Sequence, residues 1–125
     1  MNGEKKKILF IEDEPDQIAM ISLRLKKSGY EVIASMDGED GFQKAVTGRP
    51  DLILVDVIMP GMDGFEVCRR LRKDPVTKRI PIISTTAAGM DDVEQQCIAA
   101  GADVCVRKPY DSSDLLMKIG CLIDK

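Results

Sequence analysis

The chain has 125 residues, 44% of them apolar and 31% charged, which is the balance of one globular domain and too apolar for a disordered chain. Lys and Arg number 18 against 21 Asp and Glu, a net charge of −3, which argues against nucleic acid as the main partner because phosphate binding needs a basic face. With no His, a Ser–His triad, a Cys–His dyad and histidine-ligated zinc or haem are all excluded.

The first apolar run, Ile8–Ile11, follows a basic start and falls far short of the ~18 residues of a membrane span, as does every later run. Neither a secretory leader nor a membrane segment is expected. Glu14-Pro15-Asp16 then opens a helix, with Pro suited to its first position and acids to the positive end of its dipole. Ile18, Ile21 and Leu25 mark its apolar face and Gly29 its stop. The run Val32–Ala34 precedes a second helix, capped by Asp37, passing through Phe42, Ala45 and Val46, and ending at Gly48 with Pro50 beyond. The run Leu52–Val55 leads to a third helix from about Gly64, through Phe65, Cys68 and Leu71, to just before Pro75. Ile82 and Ile83 with Ser84 and Thr85 form the fourth run; Val93, Cys97 and Ile98 face the core from a helix that stops at Gly101. Val104–Val106 is the fifth run, and the last helix follows Asp111-Ser112-Ser113 and carries Leu115, Leu116, Ile119, Leu122 and Ile123.

Most of these runs are apolar at consecutive positions, as strands are when both of their faces are covered. Their alternation with helices predicts an α/β fold: a (βα)5 doubly wound, five-stranded parallel sheet between two helical layers. One domain over residues 1–125, about 7–124 of it folded, with no further domain, is the expectation. Cys68, Cys97, Cys105 and Cys121 are widely spaced and form no C-x-x-C, which excludes a zinc ribbon or a thioredoxin motif. Four buried, free thiols are predicted.

In such a sheet ligands bind beyond the carboxyl ends of the strands, where the strand order reverses. In the flavodoxin-like order 2-1-3-4-5 the first and third strands meet at that point. Glu12-Asp13-Glu14 follows the first strand, Asp56 the third, Thr86 the fourth and Lys108-Pro109 the fifth. Crowded carboxylates raise one another's pKa, and either a divalent cation or the Lys108 ammonium relieves them. Mg²⁺ suits a few carboxylates with retained waters and phosphate oxygens. A cation, a lysine and a hydroxyl around one carboxylate make a site for a phosphoryl group moving onto it. Taken singly, Asp13 or Asp37 reads as a helix-entry residue on a solvated rim; chemical groups at four strand ends do not.

The segments ILFIEDE (Ile8–Glu14), LILVDVIMPGMDG (Leu52–Gly64), PIISTTAA (Pro81–Ala88) and VRKP (Val106–Pro109) resemble the response regulator receiver domain, of the single-domain chemotaxis regulator type, along the whole chain. The intervals from Asp56 to Thr86 and to Lys108 match as well. The resemblance implies that Asp56 is the phosphoacceptor, taking a phosphoryl group from a phosphohistidine on a sensor histidine kinase or a phosphotransfer protein. It implies that Glu12, Asp13, Asp56 and the backbone carbonyl of Ile58 hold Mg²⁺, that Lys108 contacts the bound phosphoryl group, and that Thr86 swings in to hydrogen-bond it. A cis Lys108–Pro109 bond and a loop shaped by Pro60, Gly61 and Gly64 are implied too. So is a cytoplasmic signalling module that assists its own modification and is not a turnover enzyme. Its output surface would be the fourth helix, fifth strand and fifth helix, including Met90, Cys105, Arg107, Tyr110 and Met117. That surface would bind a downstream effector or a second copy, with no direct contact to nucleic acid or membrane.

The chain departs from the family pattern in three places. Glu12 stands where many members have Asp. Cys105 replaces the Tyr or Phe whose ring turns inward as the Thr moves. Ile58 and Ala88, both apolar, cannot orient a hydrolytic water, which implies slow loss of the phosphoryl group. An aspartyl phosphohydrolase would need a second Asp where Ile58 stands. A flavin or nucleotide binder would need a Gly- or Ser/Thr-rich loop in place of EDEPD. A degenerate receiver, acting as a phosphorylation-independent docking module, is kept open by Cys105.

Overall fold

The computed structural model describes residues 5–57, 63–87, 92–108 and 111–123. Strands and helices alternate: β1 (Lys7–Ile11), α1 (Pro15–Lys27), β2 (Glu31–Ser35), α2 (Gly38–Gly48), β3 (Leu52–Asp56), α3 (Gly64–Lys73), β4 (Ile82–Ala87), α4 (Val93–Ala100), β5 (Val104–Lys108) and α5 (Ser112–Ile123). The strands form one parallel sheet in the order β2-β1-β3-β4-β5, as expected.

The consecutive apolar runs are explained by the two cores. Side chains alternate across a strand, so Leu9, Ile11, Ile53, Val55 and Ile82 face one way, onto Phe42 and Ala45 of α2, Val67 and Leu71 of α3, and Cys97 of α4. Ile8, Phe10, Leu52, Leu54, Ile83 and Val106 face the other way, onto Ile21 and Leu25 of α1 and Leu115 and Ile119 of α5. Every side chain from Ile8 to Ile11 and from Leu52 to Val55 is fully buried. Each contributes about 1.5–3 kcal/mol of apolar burial, which is why Ile8–Ile11 and Leu52–Val55 hold no polar residue.

The helix ends follow from local chemistry. Pro15 opens α1, and the Asp37 carboxylate caps α2 by accepting from the Asp40 N–H at 2.8 Å. Asp63, which the sequence reading had not singled out, caps α3 in the same way, accepting from the Glu66 N–H at 3.0 Å. Gly48 is the last residue of α2 rather than its stop: the left-handed turn falls on Arg49, with φ 46° and ψ 64°. Pro50 next in line forbids a further helical turn.

The amino end of the sheet is clamped by Arg72 from α3. Its guanidinium donates to the carbonyls of Gly101 at 2.8 Å, Ile80 at 2.7 Å and Lys78 at 3.0 Å, and pairs with Asp103 at 2.8 Å. Asp103 also accepts from the Ile82 N–H at 2.8 Å. Gly101 has φ 122°, and a Cβ there would collide with the Arg72 side chain.

Three expectations are corrected. Ile98 is half-exposed, because α4 turns Val93, Cys97 and Ala100 inward and the position after Cys97 lies about 100° further round the helix. The four thiols are not all buried: Cys68 and Cys97 are, Cys105 is half-buried at the sheet edge, and Cys121 is exposed on α5. The fourth strand runs on to Ala87, so Thr86 lies within β4 rather than after it, and Asp56 is likewise the last residue of β3.

Candidate functional site

Strands β1 and β3 are neighbours, with Ile11 opposite Val55, so the residues that leave their carboxyl ends emerge side by side. Glu12 continues β1 by one residue, and its N–H donates to the Ser35 carbonyl of β2 at 2.9 Å. Beyond Asp56, the Val57 N–H donates to the Thr85 carbonyl at 3.1 Å and the Val57 carbonyl accepts from the Gly64 N–H at 2.9 Å. This last bond presses the start of α3 onto the end of β3. A Cβ on Gly64 would run into the Asp56 carbonyl and the Val57 Cα, so only glycine fits there.

The strand ends bring three carboxylates together. One oxygen each of Glu12, Asp13 and Asp56 lie within 4.8 Å of one another. Glu12 is 0% and Asp56 7% exposed, while Asp13 is half-buried at the rim. Lys108 crosses to them from the end of β5, two strands away from Asp56, with Nζ 3.0 Å from Glu12 Oε1 and 3.4 Å from Asp56 Oδ2. Four of the predicted site residues therefore meet in space. Thr86 is buried in β4, between β3 and β5 and one step beyond the level at which Thr85 pairs with Asp56. Ile58, Pro60, Gly61, Ala88 and Pro109, and with them the backbone carbonyl, the Lys108–Pro109 bond and the loop shape, lie outside the described residues.

Electrostatics at the site oppose one another. Burial pushes the Glu12 carboxyl up to about 7, and the Asp56 charge adds to this, against the hydrogen bond from Lys108. Burial alone would lower the Lys108 pKa, but the hydrogen bond to Glu12 and the charge of Asp56 more than reverse it, so the ammonium stays charged. Among the described residues one ammonium faces the three carboxylates, which leaves negative charge in excess where they meet. The donors are all oxygens, which is the ligand set of a hard divalent cation that keeps some of its waters. The same ammonium, aimed at the crevice, can also meet an anionic oxygen.

The sequence offered the Lys108 ammonium as one of two remedies for the crowded carboxylates, and its Nζ does lie against Glu12 and Asp56; that the shorter contact is to Glu12 was not foreseen. Nor was the ion pair between Arg107 on β5 and Glu94 on α4, at 2.6 Å, or the approach of Cys105 to Cys97. Only Arg107 carried a hint, as a charged position beside the missing aromatic.

Comparison with known proteins agrees with this geometry. The family model "Response regulator receiver domain" matches residues 8–120. The "DNA-binding dual master transcriptional regulator RpaA" of Synechocystis is 38% identical over 117 residues, 94% of this chain and 48% of that protein. The chain thus spans about half the length of that relative. A putative response regulator from Chloroflexus aurantiacus superposes with a TM-score of 0.93 at 30% identity, covering 98% of this chain and 100% of that one. The receiver domain of the sensor histidine kinase PA1611 from Pseudomonas aeruginosa, whose structure has a magnesium ion coordinated in the active site cleft, gives a TM-score of 0.90. It is 30% identical, with coverage of 98% and 100%. No helix among the described residues is long and apolar enough to cross a membrane.

Proposed function

Because the chain belongs to the response regulator receiver domain family, we propose that it is a phosphorylation-switched signalling module with Asp56 as its phosphoacceptor. Receiver domains signal; they are not turnover enzymes. The observation that carries the reading is the convergence of the Lys108 ammonium and the Glu12 and Asp13 carboxylates on Asp56. A phosphohistidine on a sensor histidine kinase or a phosphotransfer protein is the donor. An Asp56 carboxylate oxygen bonds to phosphorus while the phosphorus–nitrogen bond breaks, and its electron pair returns to the donor imidazole.

Glu12, Asp13, Asp56 and the Ile58 carbonyl would hold Mg²⁺, which supplies charge neutralisation for the incoming phosphoryl oxygens. Lys108 exchanges part of its contact with Glu12 for a phosphoryl oxygen, and the Thr86 hydroxyl donates to another. The rest of the change passes to the α4–β5–α5 surface, which binds a downstream effector or a second copy. DNA binding is named for the relative RpaA; this receiver unit, about residues 7–124, makes no nucleic acid contact of its own in the function proposed and acts in the cytoplasm.

The test is intact-mass spectrometry after incubation with Mg²⁺ and a small phosphodonor such as acetyl phosphate. One labile phosphoryl group on the wild type and none on Asp56→Asn is the expected result. An unmodified wild type, with a correctly folded chain, would overturn it in favour of a docking module that works without phosphorylation.

A further inference from the structure

Helix α4 leans on β5 through two adjacent side-chain pairs. Arg107 Nε donates to Glu94 Oε1 at 2.6 Å, and Cys105 Sγ lies 3.5 Å from Cys97 Sγ. Glu94 and Cys97 are neighbours on one face of the helix, three positions apart. Cys105 and Arg107, two apart on the strand, share a face of the sheet. The two pairs thus lie side by side along a single seam. Both partners of the ion pair are nearly half-exposed, and a thiol is a weak donor, so these two contacts add little to the packing of Val93, Cys97 and Ala100 that seats α4 in the reduced protein.

The two thiols differ in access. Cys97 is fully buried, whereas Cys105 is half-buried on the edge strand. A small oxidant arriving from solvent meets Cys105 first and finds Cys97 directly behind it. We propose that Cys97 and Cys105 are a redox-sensitive dithiol, which a hydroperoxide closes into a disulfide that fastens α4 to β5.

The Cys105 sulfur bonds to one peroxide oxygen and the O–O bond breaks; with hydrogen peroxide, the departing hydroxide takes the Cys105 proton as water and a sulfenic acid remains. The Cys97 sulfur then bonds to the Cys105 sulfur, the S–O bond breaks, and the second hydroxide leaves as water with the Cys97 proton. Two thiols lose two electrons and two protons, and the peroxide gains them. The sulfur atoms have to close by about 1.5 Å to reach bonding distance, within the reach of a χ1 adjustment and a small shift of a short helix. A dithiol reductant reverses the step. That the disulfide would gate the output of the α4–β5 surface rests on the function proposed above; its formation does not.

The reduced full chain is treated with hydrogen peroxide, quenched by alkylation and weighed intact. The expected product, alkylated in denaturant, is a monomer that carries two alkyl groups where the reduced control carries four, and dithiothreitol before alkylation restores four. Trypsin releases residues 80–107 as one peptide with both cysteines, and cleavage before Asp103 should leave its two pieces joined. Cys105→Ser should abolish the cross-link, Cys97→Ser should leave Cys105 carrying added oxygen, and Cys121→Ser should change nothing. Amide exchange in α4 should slow several-fold in the oxidised form. Oxygen addition without a cross-link in the wild type, a bond to Cys68 or Cys121, disulfide-linked dimers, or unchanged exchange in α4 would each overturn the proposal. Asp56→Asn should close the same disulfide at the wild-type rate, so loss of phosphoryl uptake and loss of the cross-link are separate failures.

Discussion

Glu12 sits fully buried between a like charge and an opposite one, and the loss of water outweighs the Lys108 hydrogen bond. The folded chain therefore holds a proton on Glu12 more tightly than the unfolded chain, whose value is near 4.5, up to about 7. The contribution of this group to stability is complete below about pH 4.5 and lost as the pH rises through about 7. Lys108, raised above its ordinary 10.5, keeps its charge throughout that window and adds no slope. In metal-free buffer the urea midpoint should fall between about pH 5 and about pH 8, and Glu12→Gln should flatten the difference. Ile58 and Ala88 matter for what they lack. Neither side chain can hydrogen-bond a water, so the acyl phosphate of the isolated protein should decay slowly, and Ile58→Asn should shorten its lifetime when phosphorus loss is followed with time. The identity of the site residues was legible because each stands at the end of an apolar run. That Lys108 sits nearer Glu12 than Asp56 was not, since that choice falls to a rotamer that only the packed crevice selects.

Among the elements, α3 connects the two ends of the sheet. Its first residue, Gly64, touches the backbone that carries Asp56, and its Arg72 ties down the starts of β4 and β5. Truncating Arg72 leaves three carbonyls and the Asp103 carboxylate short of a donor. Arg72→Ala should therefore cost about 2–3 kcal/mol in urea denaturation. Arg69→Ala, which removes only the half-exposed pair with Glu66, should stay within about 0.5 kcal/mol of wild type. Strands β1 and β3 were legible because helices cover both of their faces, and α1 and α2 because Pro15 and Asp37 act within their own turn. Arg49 and Arg72 escaped for the opposite reason. A left-handed arginine has no sequence mark, and a guanidinium that serves carbonyls far along the chain looks like any surface charge. Ile98 misled because helical spacing tolerates one neighbouring position on either side of a true core residue.

At the scale of the whole molecule the site exists only when β1, β3 and β5 are aligned, since each contributes a charge. A cation held by Glu12, Asp13 and Asp56 therefore binds the folded chain and not the unfolded one, and should raise global stability by mass action. Saturating Mg²⁺, at about a hundred times its dissociation constant, should add roughly 2.7 kcal/mol at neutral pH. Asp13→Asn should need more Mg²⁺ for the same gain, and a chelator should reverse it; both are read from the urea midpoint. The alternation that predicted the topology also located this crevice, because parallel order puts all carboxyl ends at one edge. The close approach of α3 to the backbone that carries Asp56 is not encoded in apolar patterning.

The Arg72 guanidinium grips the Gly101 carbonyl at the far end of α4, while Val93, Cys97 and Ala100 seat that helix on the core and, among the described residues, one ion pair and one thiol contact join it to β5. Any displacement of β5 therefore reaches α4 by two routes, through the buried Cys97 side and through the exposed Glu94–Arg107 pair.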